Sequence, residues 1–237
     1  MRPESVRHPK RYFGDTYTGS VIISRDGYRA VQFESLLEQD WLVRTDAFDR
    51  DLACVVAQPR VDDTDSGGLR YKFDGRYRTW IPDYFRQRRG PPGIQAPMPA
   101  LVEVKPLIAI YPDDPDEAVR ERDRAYVEGK FEAIRLAALS RGYEFVLATE
   151  NEIRIQPSLQ NAGLMLRCCG PTFPVAWEKM GEQAVLALRR ESSVSELEAV
   201  LPNGMDAFSV ALRLAWSGQI VLDPSRKWSR TSTFVRA

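Results

Sequence analysis

The sequence predicts an α/β protein in which helices cover both sides of a sheet, followed by a small C-terminal module of three helices and a β-wing. Up to about residue 172, apolar and β-branched runs alternate with helical patterns in the order helix, three strands, strand, helix and strand. Three short helical patterns then follow one another. The 237 residues are enough for one larger and one smaller domain. We predict an arm over residues 1–20, a main domain over 21–172 and a winged-helix-like module over 173–237.

The composition is that of an ordinary globular protein. Lysine plus arginine and aspartate plus glutamate both number 33, 43% of the residues are hydrophobic and 28% are charged. These values exclude disorder of the whole chain. No apolar run approaches the ~18 residues of a membrane span, and the basic first residues are not followed by the apolar core of a signal peptide. We therefore expect a cytoplasmic protein that has no membrane partner.

Cysteine and histidine are too few for several kinds of site. Cys54, Cys168 and Cys169 give neither a disulfide framework nor the spacing of zinc ligands, so we interpret them as reduced and structural. The one histidine, His8, lies in the predicted arm, which argues against Ser-His-Asp and Cys-His catalysis. Any chemistry is expected to use carboxylates, lysine and a hard metal ion such as magnesium.

The first elements of the main domain follow from apolar spacing. Residues 21–24 form a short apolar run before a turn at residues 25–27. Residues 31–48 carry apolar side chains mostly three and four positions apart, which predicts an amphipathic helix that faces the sheet. Residues 53–59 are rich in valine and end in proline, which predicts a strand.

The next segments predict a hairpin and a strand. Residues 69–73 and 76–85 are separated by Asp74-Gly75, a pair typical of hairpin turns. A loop rich in proline, glycine and glutamine covers residues 87–99. Residues 100–106 then predict a compact strand, in which successive side chains alternate between the two faces.

A long helix and a further strand complete the main domain. Residues 116–141 lack proline and are rich in helix formers, and Gly142 fits a C-terminal cap. Residues 143–150 predict a buried strand. In the C-terminal module Ser193 or Ser195 caps the middle helix, and the tail pairs as two strands around Asp223-Pro224. Its three helices are predicted over residues 178–190, 193–201 and 205–218.

A set of charged residues in the main domain suggests phosphodiester chemistry. Glu103 and Lys105 are two positions apart on a predicted strand, so both project from the same face. Asp83, at the end of a neighbouring strand, is expected beside them. Converging carboxylates form an oxygen-rich magnesium site, and an adjacent ammonium can assist an attacking water. The alternative is a cross-strand charge pair on a solvated face.

An upstream acid on the first helix could complete this site. Glu34 and Glu38 are four residues apart and share one flank of that helix. Either side chain could reach a metal at the edge of the sheet, and both could instead be solvated. The spacing alone does not choose between them.

Five motifs in one order along the chain resemble the TnsA-type endonuclease subunit of heteromeric transposases. The resemblance runs from about residue 20 to about residue 170 and continues into the C-terminal module. Its motifs are Ser35–Glu38, Val56–Pro59, Ile81–Phe85, Val102–Pro106 and Phe145–Ile153.

The resemblance implies a restriction-endonuclease fold with a PD-(D/E)-x-K site. The metal ligands would be Glu38, Asp83 and Glu103, and Lys105 would complete the catalytic set. The metal would be Mg²⁺, with Mn²⁺ as its substitute. Some members have glutamine at the position of Glu103, and the acid here makes the metal site more conventional. Gln58 also matches a family position near the metal or the scissile strand, although a polar residue before proline can equally end a strand.

The resemblance also implies a function and partners. A TnsA-type subunit cuts the non-transferred strand at the 5′ ends of the transposon during cut-and-paste transposition. A DDE-type transposase of the TnsB kind cuts and joins the 3′ ends, and an AAA+ ATPase of the TnsC kind links the pair to target choice. The expected partners are therefore transposon-end DNA and these two proteins.

Cationic side chains are clustered although the net charge is zero. Such clusters bind phosphates without reading bases. A balanced charge predicts weak binding by the chain alone and recruitment by a partner, and any one arginine could instead be solvated. The expected DNA contacts are Arg70, Lys72, Arg76, Arg78, Arg86, Arg88, Arg89, Arg226, Lys227 and Arg230.

Two other functions remain open from the sequence. The same four residues, Glu38, Asp83, Glu103 and Lys105, would serve a restriction, repair or phage nuclease of the same fold. A non-catalytic assembly factor would use Glu103 and Lys105 only as a charge pair. The C-terminal module is expected to dock a protein partner with some DNA contact, because its acidic stretches disfavour a helix that faces DNA throughout.

Overall fold

The computed structural model describes residues 2–6, 17–62 and 66–237, so most of the predicted arm, His8 included, lies outside the described residues. The chain divides into two compact units. The first comprises residues 1–42 and 51–153, and the second comprises residues 43–50 and 154–237. The boundary predicted near residue 172 therefore falls inside the second unit, because a helix over residues 158–166 packs into the core of that unit.

The first unit is built on a four-stranded mixed sheet. Its elements are β1 (Gly19–Ile23), β2 (Arg29–Phe33), α1 (Leu36–Phe48, of which residues 43–48 belong to the second unit), β3 (Leu52–Ala57), β4 (Leu69–Phe73), β5 (Arg76–Trp80), β6 (Tyr84–Arg88), β7 (Ala100–Val104), α2 (Leu107–Ile110), α3 (Glu117–Leu139), β8 (Glu144–Ala148) and α4 (Glu150–Ile153). The sheet has the order β3-β6-β7-β8. The first two pairs are antiparallel and β7 with β8 is parallel.

Side chains from both faces of this sheet are buried, as predicted. On one face, Tyr84 and Val102 pack in a core that includes Trp41 of α1. On the other, Phe85 and Leu101 pack with Ile134 of α3. Because neighbouring residues of a strand point to opposite faces, a strand buried on both faces is mostly apolar. All five residues of β7 are buried, and four of them are apolar, the exception being Glu103.

The structure corrects three of the predicted elements. Val31 and Phe33 belong to a strand and not to the first helix, because these residues two positions apart both face the core while β2 pairs with β1. The run over residues 76–85 is broken at Pro82, which has no N–H for a ladder, and β6 then continues to Arg88. β8 is a half-buried edge strand and not a buried one, because it has a neighbour on one side only.

Several predicted features are confirmed. β4 and β5 form an antiparallel hairpin around Asp74-Gly75. Gly142, predicted at the end of the long helix, lies beyond α3 with a left-handed φ of 79°. The N-terminal cap of α3 was not predicted: it is Asp116, which accepts a hydrogen bond from the Ala118 N–H at 2.9 Å. No helix among the described residues is both long enough and apolar enough to cross a membrane.

The second unit combines helices with a small antiparallel sheet. Its elements, besides residues 43–48 of α1, are α5 (Ser158–Leu166), α6 (Val175–Ala187), β9 (Glu191–Ser193), α7 (Val194–Val200), α8 (Ala207–Ser217), β10 (Ile220–Leu222) and β11 (Thr233–Arg236). The strand order is β10-β11-β9, so the two predicted tail strands are present. α5 was not predicted. The short strand β9 was not predicted either, since its three polar residues show no alternation of apolar and polar side chains.

Two features position the helices of this unit. Ser193 rather than Ser195 caps α7, in a reciprocal pair of bonds with Glu196. α8 is the central helix, and all its residues except Ser217 are buried or half-buried. Val210 and Leu214 of α8 pack in the core with side chains of α5, α6 and α7.

Two helical glycines of this unit differ in the space around them, and alanine substitutions at the two positions are therefore expected to have opposite effects on stability. An added Cβ at Gly181 of α6 would lie 2.4 Å from the Cγ1 of Val210, whereas one at Gly163 of α5 would meet nothing within 4 Å. We expect Gly181→Ala to lower the free energy of unfolding by about 1–3 kcal/mol through overpacking. Gly163→Ala should raise it by up to about 1 kcal/mol through helix propensity. Urea unfolding measures both, and a stabilised Gly181→Ala variant would contradict this packing.

Candidate functional site

The pairing of β6 with β7 brings two predicted site residues together. Tyr84 is paired with Val102, so one step further in this antiparallel register Asp83 lies opposite Glu103. The Asp83 carboxylate accepts a hydrogen bond from the Val104 N–H at 2.7 Å. Asp83 therefore stands at the start of β6, directly beside the Glu103 strand.

Glu103 is buried and held by two donors. Its side chain is 8% exposed. The indole N–H of Trp80 donates to Glu103 Oε2 at 2.7 Å, and the Lys105 ammonium lies 2.6 Å from Glu103 Oε1. The predicted projection of Glu103 and Lys105 from one face of β7 is thus confirmed by a direct ion pair. A buried carboxylate needs such partners, because desolvation without them is costly.

Glu38 joins this group through Tyr84. The Tyr84 hydroxyl donates to Glu38 Oε2 at 3.0 Å, and the Glu38 charge acts on both Asp83 and Lys105. Glu38 also accepts bonds from the Ser35 hydroxyl at 2.9 Å and the Glu34 N–H at 3.0 Å, which close the first turn of α1. Glu38 therefore both caps its helix and faces the carboxylates of the sheet.

The electrostatics of the group are dominated by buried negative charge. Burial, reinforced by the neighbouring Glu103 charge, raises the pKa of Asp83 to about 8, although the Val104 N–H bond opposes the shift. Burial likewise raises the pKa of Tyr84, and Glu38 adds to the effect. Desolvation disfavours each charged form, and like charges add to that penalty. Such a site favours a cation or a proton.

Lys105 provides the positive charge of the site. Burial of its ammonium opposes ionisation, but Glu103, Asp83 and Glu38 together raise the pKa of Lys105 above its usual value. Its side chain is 44% exposed, so the ammonium can reach a group outside the core. In this arrangement Lys105 stays protonated, and it can supply charge and hydrogen bonds but cannot accept a proton.

Gln58 lies next to Asp83 through the backbone. Its N–H donates to the Asp83 carbonyl oxygen at 2.8 Å, and its own carbonyl accepts from the Val6 N–H at 2.8 Å. Gln58 has a left-handed φ of 43°, which is uncommon for a residue other than glycine. Gln58 is therefore near Asp83, in a backbone conformation that its hydrogen-bonded neighbours hold.

The donor chemistry of the site fits a hard divalent cation. Asp83 and Glu103 are adjacent oxygen ligands, and the repulsion that raises the pKa of Asp83 would be relieved by a cation. Glu38 and Glu103 each have donors on both oxygens, but only Glu103 lies directly beside Asp83 on the neighbouring strand. Among residues 2–6, 17–62 and 66–237, no three histidine, cysteine or acidic side chains are close enough together to hold a metal. Asp83 and Glu103 are thus the residues that would bind it first.

The predicted DNA-contact residues are distributed over several surfaces. Arg70, Lys72, Arg76 and Arg78 lie on the β4–β5 hairpin, which leads directly into the site. Arg88, in contrast, pairs with Leu52 at the far end of β6, about 16 Å from Asp83 at ~3.3 Å per residue. Arg86 is the middle residue of β6, and Arg89 directly follows the strand.

The cations of the second unit are partly neutralised. Arg230 makes ion pairs with Glu198 at 3.3 Å and with Asp206 at 3.1 Å. Arg226 lies 3.5 Å from Asp223. Lys227 is exposed in the same loop.

Sequence reasoning missed two residues of the site, Trp80 and Tyr84. They flank Asp83 in the segment Trp80–Tyr84, and each donates to a different carboxylate. Tyr84 is also stacked on Trp41, with ring centroids 4.7 Å apart. The signal was present, because aromatic residues with an N–H or O–H on a buried strand need a polar partner.

Comparison of the chain with profiles of known protein families finds no matching family, and comparison with curated proteins finds no significant match. The site is therefore interpreted from its own geometry and chemistry.

The raised pKa of Asp83 predicts a pH-dependent stability difference for Asp83→Asn in the absence of divalent cations. An unfolded aspartate titrates near 3.9, so between about pH 4 and about pH 8 the folded wild type binds the extra proton. Its free energy of unfolding should then fall as the pH rises through this window. The asparagine variant lacks this loss, so its stability relative to wild type should be higher near pH 9 than near pH 5 by at least about 1 kcal/mol.

Urea unfolding in a chelating buffer measures this difference. Gly163→Ala is the matched control, because it changes no ionisable group and its stability difference should not depend on pH. A constant difference for Asp83→Asn across the window would contradict the assignment of burial and like charge to Asp83.

Proposed function

We propose that this protein is a metal-dependent DNA endonuclease. The observation that carries the proposal is the juxtaposition of Asp83 and Glu103 at one end of a buried sheet, with the Lys105 ammonium 2.6 Å from Glu103. A buried acid beside a half-buried one, with an adjacent ammonium, suits phosphodiester hydrolysis, where negative charge develops on a phosphate. The mixed sheet between helices is compatible with the restriction-endonuclease fold that the sequence motifs suggest.

The residues would divide the chemistry among them. A bound Mg²⁺, or Mn²⁺ in its place, would neutralise the scissile phosphate and lower the pKa of a water molecule. Asp83 and Glu103 would hold the ion, and Glu38 would contribute charge from α1. The protonated Lys105 would bind a phosphate oxygen or orient the water. Trp80 and Tyr84 would act as positioning residues, since each fixes a carboxylate.

The motif resemblance extends the proposal to a biological role. The chain would be the TnsA-type subunit of a heteromeric transposase, cutting the non-transferred strand at transposon 5′ ends. Its partners would be a DDE-type transposase and an AAA+ ATPase, and the complex would act in the cytoplasm on transposon-end DNA. A site that needs charge and positioning but no base reading suits a subunit that others deliver to the DNA.

The second unit supports a docking role. The order α6, β9, α7, α8, β10, β11, with β11 central in its sheet, is compatible with a winged helix. The helix that would read DNA in such a fold is α8, whose residues are all buried or half-buried except Ser217. We therefore propose that this unit docks a protein partner, with DNA contact limited to the loop that carries Arg226, Lys227 and Arg230.

One alternative has a specific observation in its favour. Glu103 uses both of its oxygens for Trp80 and Lys105, as a purely structural charge pair would. A non-catalytic assembly factor would need no more than this. Substitution of Lys105 separates the two functions, because an assembly factor would need the ammonium only for its fold and not for cleavage.

The proposed function predicts metal-dependent cleavage that requires the site. Together with its transposase, the purified chain should cut the 5′ ends of donor DNA only with Mg²⁺ or Mn²⁺. Asp83→Ala and Lys105→Gln should each lower the cleavage rate by about 100-fold or more, because charge stabilisation of the transition state is lost. Complex formation, measured by co-purification, should be unchanged.

Lys130→Gln on α3 is the matched control for the loss of a lysine charge, and it should cleave as wild type does. Persistent 5′ cleavage by Asp83→Ala would refute the assigned site. Unchanged cleavage by Lys105→Gln would instead favour the assembly factor.

The bond from Trp80 to Glu103 predicts a separable positioning effect. Trp80→Phe keeps an apolar ring against Phe145, whose ring centroid is 5.3 Å away, but removes the N–H. We expect a loss of about 10-fold in cleavage rate, as is typical for a group that orients a metal ligand. Trp228→Phe removes an equally short 2.7 Å indole bond, to the Asp223 carbonyl, and calibrates the stability cost. Wild-type cleavage by a folded Trp80→Phe variant would exclude this role.

A further inference from the structure

The two faces of the β4–β5 hairpin differ in chemistry. Residues directly opposite in an antiparallel pair share a face. One face carries Leu69 opposite Trp80, both buried in the core that contains Ile134 of α3. The other face carries Arg70 opposite Thr79 and Lys72 opposite Tyr77, and all four side chains are exposed.

Tyr77 is the unusual member of the outward face. Its side chain is 65% exposed, and the Arg70 guanidinium lies 4.2 Å from the centroid of its ring. Arg70 therefore covers only part of the ring. An exposed aromatic side chain contributes little to a solvated strand, but it can stack on another flat group.

The charge of the hairpin indicates the kind of group. Of the four cations between Leu69 and Trp80, Arg70 and Lys72 lie on the outward face with Tyr77, whereas Arg76 and Arg78 are opposite Phe73 and Tyr71 on the other face. The one acid in this stretch of sequence is Asp74. Cations beside an exposed aromatic ring are the features with which proteins bind single-stranded nucleic acid: the cations follow the phosphates and the ring stacks on a base. Paired bases are already stacked in a duplex, so a base on Tyr77 must be unpaired.

We propose that the outward face of the β4–β5 hairpin holds an unpaired DNA strand, with one base stacked on Tyr77 and phosphates bound by Arg70 and Lys72. The inference builds on the proposed function, since it takes DNA as the occupant. Tyr77 is six residues before Asp83, so the two are at most about 21 Å apart along the chain. A strand on this face is therefore close to the candidate site, and the substrate would be DNA with a frayed or distorted end.

The test is fluorescence anisotropy with labelled DNA in a chelating buffer, where binding is measured without cleavage. Tyr77→Ala should weaken binding of a single-stranded oligonucleotide by about 10-fold, as expected for the loss of one stacked base. Tyr77→Phe keeps the ring and should bind within about twofold of wild type. Arg70→Gln combined with Lys72→Gln should reduce the slope of log affinity against log salt by about 1.4.

Three controls make the test specific. Tyr17→Ala removes a tyrosine that is 67% exposed elsewhere, and it should bind as wild type does. A blunt duplex should be insensitive to Tyr77→Ala, because its bases are paired. Thermal unfolding checks that each exposed substitution leaves the fold intact.

Several results would overturn the inference: wild-type affinity of Tyr77→Ala, an equal loss with Tyr77→Phe, or an equal loss on the blunt duplex. Equally tight, Tyr77-dependent binding of poly-glutamate would identify a protein-binding surface instead. The proposed nuclease activity stands or falls separately, because a chain that binds DNA through Tyr77 but cleaves nothing would refute only the activity.

Discussion

The antiparallel pairing of β6 with β7 determines the geometry on which the rest of the candidate site depends. It aligns Tyr84 with Val102, and so it places Asp83 beside Glu103 at one end of the sheet. Because β7 is buried along its whole length, neither carboxylate can be hydrated freely. Each negative charge must therefore be matched by a nearby donor or cation.

The segment Trp80–Tyr84 provides hydrogen-bond donors to these carboxylates. The indole of Trp80 donates to Glu103 and the hydroxyl of Tyr84 donates to Glu38, while Asp83 between them is bonded to the backbone of β7. Lys105 adds the one ammonium. The compensation is incomplete, as the raised pKa of Asp83 indicates. Residual negative charge in a preorganised, partly dry site is the condition under which a divalent cation binds well, and it lowers the stability of the protein without one.

The two units differ in the positive charge that their surfaces carry. In the first unit, the cationic hairpin that ends at Trp80 is continuous in sequence with the carboxylates. In the second, α8 is covered and Arg230 is neutralised by Glu198 and Asp206, so little charge is left for DNA. This division agrees with a chain in which one unit handles the DNA strand and the other binds proteins.

The sequence by itself determined the local features of this protein. Period-two alternation identified the face shared by Glu103 and Lys105, and the Asp74-Gly75 pair identified the hairpin. These features depend on residues a few positions apart, whose spacing encodes strands, turns and caps. Only the tertiary structure decided the features that join distant segments, because they depend on strand register and packing between residues tens of positions apart. These features are the β2 strand (Arg29–Phe33), the bond of Tyr84 to Glu38, the bond of Trp80 to Glu103, and the division of the chain between the two units.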